Sequence, residues 1–151
     1  MKLVVENYPE GEGLLRQAFN ITCNRLGIAS EKWTVTLRFN PQSAMVDDFT
    51  DGQTKSTSHN GQCYMELTTN LLKGDTFRLI QVFCHELVHV KQIIKDGLRG
   101  TPRGMEFRGE LYPIQVLAFA SILPFPAEPW EVEAYSRDTE LAKTVMQFVS
   151  L

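Results

Sequence analysis

Histidine is scarce in this 151-residue chain: there are three, His59, His85 and His89, and none follows position 89. Cysteine is equally sparse. Cys23, Cys63 and Cys84 stand at irregular spacings with no Cys-x-x-Cys pair, which excludes a zinc ribbon and a disulfide framework and points to a reducing cytoplasm. Basic residues are not in excess either. Fifteen Lys and Arg against 18 Asp and Glu give a formal charge of -3, so nucleic acid is disfavoured as the main ligand, with Arg99, Arg103 and Arg108 the one local basic patch. A long apolar run is missing as well. The longest mainly apolar piece, Ile114 to Pro126, is interrupted by Gln115, Ser121 and Pro124 and falls short of the ~20 residues that span a bilayer. Met1 to Asn7 has no apolar run before its first acid, so neither a signal peptide nor a membrane anchor is expected.

With 43% hydrophobic and 22% charged residues, the composition is that of an ordinary globular protein. A chain of this length buries ~68–70% of its unfolded surface without needing a disulfide or structural metal. No repeat, linker or low-complexity tract divides it, so a single domain is expected.

The chain also contains His85-Glu86-Leu87-Val88-His89, a His-Glu-x-x-His sequence in an apolar stretch that reads as one helix. Residues four apart on a helix share a face, so His85 and His89 can offer two imidazoles to one ion. Glu86 then lies beside the metal as a base. From the chain's own three His and 12 Glu, such a pentapeptide is expected by accident only about 0.005 times. Asp75 after Gly74 supplies an N-cap and Asp96-Gly97 a stop. Along that helix Leu79 or Ile80, then Phe83, Leu87, Val90 and Ile94 form an apolar stripe. Leu87 falls about 160° from both histidines, so the metal face and the main core face are opposite, with Val82 and Ile93 flanking the histidines. Cys84 points about 100° away from His85 and reads as a small buried hydrophobe.

The rest reads as α+β. A helix spans about Gly13 to Leu26, and Lys32 to Phe39 alternates as a half-buried strand. A second strand is expected over Ala44 to Phe49, then a long exposed hairpin loop from Thr50 to Gln62 that contains His59, then a strand from Cys63 to Thr68. That last strand either borders the cleft and pairs with an extended peptide or is a plain sheet strand. Met105 to Tyr112 reads as a hairpin turning at Arg108-Gly109. The Pro-rich connector Pro124 to Pro129 leads into a last helix running to about Val149.

Two imidazoles need a third protein ligand, with a fourth position left for water. The extended pattern that ends in a third histidine has Gln92 and Lys95 where it needs Gly and His. His59 sits in a polar loop where a solvated histidine is the plainer reading. The carboxylates at the start of the last helix are better placed. Glu131 and Glu133 point about 200° apart, so only one can face the metal. Ala134, three after Glu131, would let the helix approach closely, which favours Glu131 with Glu133 as the alternate. Glu128 and Glu133 also suit the acidic first turn of a helix.

His85-Glu86-Leu87-Val88-His89 followed by Trp130-Glu131-Val132-Glu133-Ala134-Tyr135 resembles the gluzincin metallopeptidases, specifically their minimal single-domain members and the related SprT-like zincins. The resemblance covers about Trp33 to Val149. It implies a zincin-like core of an N-terminal helix, a small mixed or antiparallel sheet, an active-site helix and a C-terminal glutamate helix. It further implies one Zn2+ held by His85, His89 and Glu131, with Glu86 as general base. Tyr135 stands where some relatives have an acid that orients a ligand histidine, which makes Asp138, one turn on, the candidate for that role. No Cys-rich ribbon follows, which argues against a DNA-directed role. The expected activity is cytoplasmic zinc-dependent hydrolysis of a protein or peptide by an activated water, with Tyr112, Tyr135 and Arg103 candidates by type for an oxyanion stabiliser. No membrane partner is expected, and the oligomeric state is not legible. The alternatives are a zincin-fold binding or regulatory protein that holds zinc without turnover, and a SprT-like protease acting on nucleoprotein.

Overall fold

The computed structural model describes residues 1–47, 50–56 and 61–149. The chain is α+β, with elements in the order β1 (Lys2–Val5), α1 (Glu12–Arg25), β2 (Thr34–Asn40), β3 (Gly52–Ser56), β4 (Gln62–Thr68), α2 (Thr76–Lys95), β5 (Arg99–Thr101), β6 (Gly104–Phe107), β7 (Glu110–Pro113), α3 (Ile114–Ser121) and α4 (Pro129–Val149). Two sheets form. The larger has strand order β1-β2-β4-β3, with β1, β2 and β4 parallel and β3 antiparallel to β4. The smaller is the antiparallel meander β5-β6-β7.

The period-two pattern explains the core of the large sheet. Val35, Leu37 and Phe39 of β2 stand in register with Cys63, Met65 and Leu67 of β4, and all six are buried. They share one core with α1, through Leu15, Ala18, Phe19 and Cys23, and with α2, through Leu79, Ile80, Phe83, Leu87 and Val90. Each Val, Leu, Ile, Phe or Met among them contributes about 1.5–3 kcal/mol relative to exposure. Helix α2 begins as the sequence requires: the Asp75 carboxylate accepts the Phe77 N–H at 2.9 Å, satisfying one orphan donor of the first turn. Helix α4 packs along α2, and Ala134, Ala142 and Val145 on it are wholly buried.

In the smaller sheet, Arg108 (φ 52°) and Gly109 (φ 81°) are both left-handed, as a two-residue hairpin turn of the primed type demands. Leu98, Phe107 and Trp130 make a satellite cluster supported by Ile93, Met105, Tyr112 and Leu117. Trp130 thereby ties the meander to the start of α4, one residue before Glu131. Among the described residues, no helix is long and apolar enough to cross a membrane.

Two expectations fail between β2 and β4. Among the described residues no strand runs over Ala44 to Asp47: Gln42–Ala44 form one 3-10 turn, and Asp48 and Phe49 of the expected strand lie outside the described residues. Local bonds replace the ladder there. Asp47 Oδ1 accepts both the N–H and the hydroxyl of Thr50, and the Gln42 amide donates to the carbonyls of Asp47 and Thr50, the competition that short polar side chains offer to a sheet. The strand lies later, at β3, inside the expected Thr50 to Gln62 loop. It escapes hydropathy patterning because its sequence, Gly-Gln-Thr-Lys-Ser, holds no large apolar residue. His59, expected in that loop, lies outside the described residues. Strand β1, four residues long, was not legible from its pattern and is found through its parallel pairing with β2.

The close seat of α4 on α2 yields a prediction. Ala134→Leu should cost about 1–3 kcal/mol by overpacking, read by urea unfolding; unchanged stability would show that the seat is not tight.

Candidate metal centre

His85 and His89 lie one turn apart on α2, facing away from the main core, and α4 lays Glu131 across them. Glu131 Oε1 is 3.2 Å from His85 Nε2 and 2.6 Å from His89 Nε2. One donor atom from each of the three residues lies within 4.8 Å of the others. Bond lengths of ~2.0–2.2 Å put tetrahedral ligand atoms roughly 3.3 Å apart, so the His85 spacing already suits an ion and the His89 spacing would open slightly. Two imidazoles and a carboxylate are also the donor chemistry of catalytic zinc. The residues therefore fit a metal ion.

Both outer ring nitrogens are tied down. His85 Nδ1 lies 3.1 Å from buried Asp138 Oδ2, and Asp138 is itself held by Gln81 and Thr139. His89 Nδ1 lies 2.7 Å from Gln92 Oε1. The Gln92 amide nitrogen donates to the Trp130 carbonyl at 2.9 Å and to Glu133 Oε1 at 2.7 Å, so its oxygen is the acceptor and His89 Nδ1 must carry the proton. Each Nε2 is thereby directed at Glu131, the arrangement by which outer partners orient metal-binding histidines. Asp138 sits where the sequence suggested. Gln92 has no signal in the extended motif, where it stands only as a departure from glycine; a polar residue three after His89 lies on the same face, and here it is fully buried.

The proton balance follows from these contacts. Burial alone would lower the His89 pKa, but its bond to Glu131 and the charges of Glu86 and Glu131 outweigh it and raise the pKa to about 9. Burial opposes the charge of Glu131 too, yet its bonds to His85 and His89 bring it down to about 2. In the metal-free site a proton on His89 thus stands where an ion would, shared with the Glu131 carboxylate.

Glu86 is 3% exposed, lies in the same cleft, and accepts from Thr54 Oγ1 at 2.7 Å. Burial, its largest influence, pushes its pKa upward. Glu133, the alternate ligand, faces away and binds Lys91, Gln92 and Arg108. Cys84 is fully buried, beside Thr22, and burial pushes its thiol up to about 12, which makes it a core residue.

The cleft has a volume of about 430 Å³. Gly52, Gln53 and Thr54 of β3 line one side; Leu98, Met105 and Trp130 line an apolar side. Strand Cys63 to Thr68 does not border it: β4 is paired on both edges, by β2 and by β3, so the strand beside the cleft is β3. Of the oxyanion candidates only Tyr135 lines the cleft, its ring 4.4 Å from that of His85. Tyr112 packs on Trp130 with its hydroxyl toward Glu110, and Arg103 borders a separate hollow with Arg99 and Leu111.

Compared with known proteins, the chain matches no family model, no curated protein and no solved structure.

Two predictions follow from the tied nitrogens and the shared proton. Gln92→Leu should weaken binding of a divalent probe ion about 10–100-fold by freeing His89, measured by chelator competition; an unchanged affinity would deny the orienting role. Because a metal ion would have to displace the His89 proton, affinity for a divalent probe ion should climb about tenfold per pH unit from pH 7 and level off above about pH 9. A flat profile would contradict the shared proton.

Proposed function

We propose that the chain is a gluzincin-type zinc metallopeptidase with a zincin-like core, hydrolysing peptide bonds with Glu86 as general base. The observation that carries this reading is the convergence of His85, His89 and Glu131 beside buried Glu86 in one open cleft. Zinc held by those three ligands would lower the pKa of a water to about 7 and polarise a carbonyl as a Lewis acid. Glu86 takes the proton of the attacking water as the new C–O bond forms, and returns it to the amine nitrogen as the C–N bond breaks. Its raised pKa suits both halves of that transfer. Tyr135, which lines the cleft with its ring against that of His85, is the residue of the three candidates that would steady the oxygen on which charge develops.

The cleft fits an extended peptide. Strand β3 is the last of its sheet, so among the described residues its outer edge has no strand partner, and a substrate strand can add to it. Val82, Leu98, Met105 and Trp130 offer the apolar surface for a side chain of that peptide.

The test combines metal content and cleavage. Glu86→Gln should retain one zinc per chain and lose cleavage of a peptide library by at least about 100-fold. Glu131→Ala should lose zinc while Glu133→Ala keeps it. A zinc-loaded wild type that cleaves no library peptide would overturn the enzyme reading and favour zinc binding without turnover. Tight, salt-sensitive DNA binding would instead redirect it toward a nucleoprotein substrate.

A further inference from the structure

Glu86 does not stand free in the cleft. It is buried on α2, and a carboxylate on a three-torsion side chain reaches many positions unless something holds it. Strand β3 comes close enough to do so. Gly52 is where the strand passes the helix: a Cβ there would lie 2.7 Å from Leu67 Cδ2, 3.1 Å from Glu86 Cγ and 3.2 Å from Val82 Cγ1. Leu67 is fully buried and Val82 nearly so, so neither gives way freely. Two residues on, Thr54 projects from the same face of the strand and reaches Glu86 twice, with Oγ1 2.7 Å from the carboxylate Oε1 and 3.4 Å from the backbone oxygen.

We infer that Thr54 is a positioning residue for the general base, its hydroxyl holding Oε1 of Glu86 so that Oε2 faces the attacking water, with Gly52 providing the clearance that brings the strand into reach. This rests on the peptidase reading for its consequence in catalysis, but not for the contact itself. Among the described residues Thr54 is the only hydrogen-bond donor to the Glu86 carboxylate. The hydroxyl must donate, because an ionised carboxylate only accepts. One oxygen is thereby committed and the other left for proton transfer. The same strand lines the cleft beside the metal ligands, so it would carry substrate on its outer edge and hold the base from its inner face. A peptide that adds to β3 would therefore dock against the element that sets the carboxylate.

The test pairs Thr54→Val, which keeps the shape and removes the donor, with Thr54→Ser, which keeps the donor. In metal-free protein carrying ¹³C-carboxyl glutamate, the Glu86 resonance, assigned by its loss in Glu86→Gln, should move in Thr54→Val and stay near its wild-type position in Thr54→Ser. In zinc-loaded protein Thr54→Val should lower kcat about 10–100-fold, a share of what a positioned base supplies. KM should stay within about twofold and zinc content should be unchanged, while Thr54→Ser should keep kcat within about threefold. Gly52→Ala should move the same resonance by crowding Cγ. A Glu86 resonance indifferent to Thr54→Val overturns the inference whether or not a cleavable peptide is known. So does a wild type that cleaves alongside an equally fast Thr54→Val, or a Thr54→Ser as slow as Thr54→Val. Failure of the wild type to cleave anything, with the resonance shifts as expected, removes the peptidase reading and leaves the contact standing.

Discussion

A carboxylate has a short reach, and this constrains the whole molecule. For one Glu131 oxygen to lie within 3.2 Å of two imidazoles on another helix, α4 must lie almost against α2. Ala134, buried and one turn from Glu131, permits that approach, and Trp130, anchored in the meander against Phe107 and Tyr112, sets where α4 begins. The small sheet, which meets the main core through Ile93, is thus part of how Glu131 is placed across the two histidines.

Close packing of two helices whose facing sides carry acids, histidines and amides is stable only if the buried polar groups are paired. Here they are. Asp138 takes one histidine, Gln92 the other, and Glu133 accepts from Gln92, Lys91 and Arg108. Among the described residues no buried side-chain nitrogen or oxygen lacks a hydrogen-bond partner. The acid that does not face the centre is therefore still tied to it, since Glu133 orients the amide that orients His89. Glu131 and Glu133, equal in chemistry and two residues apart, are divided by helix geometry into a group on the centre and a group behind it.

Much of this was legible from local pattern. Asp75 as N-cap, Asp96 at the end of α2, the Arg108-Gly109 turn and Pro129 at the start of α4 all rest on interactions within a few residues. So does the facing of His85 and His89, a matter of helical pitch alone. Strand β3 was not legible, because its stability comes from pairing with β4 and not from apolar side chains of its own. Gln92 was overlooked for a related reason: its value lies in Trp130 and Glu133, some forty residues away.

By itself, then, the sequence determined helices α1, α2 and α4, the Asp75 cap of α2 and which face of α2 carries the histidines, but not the short helix α3. The tertiary structure alone decided which carboxylate joins them, how each imidazole is oriented, and which strand lies beside the cleft. The division follows from range: pitch, capping and turn chemistry act between neighbours in the chain, whereas ligand distance and edge exposure depend on how separate elements pack.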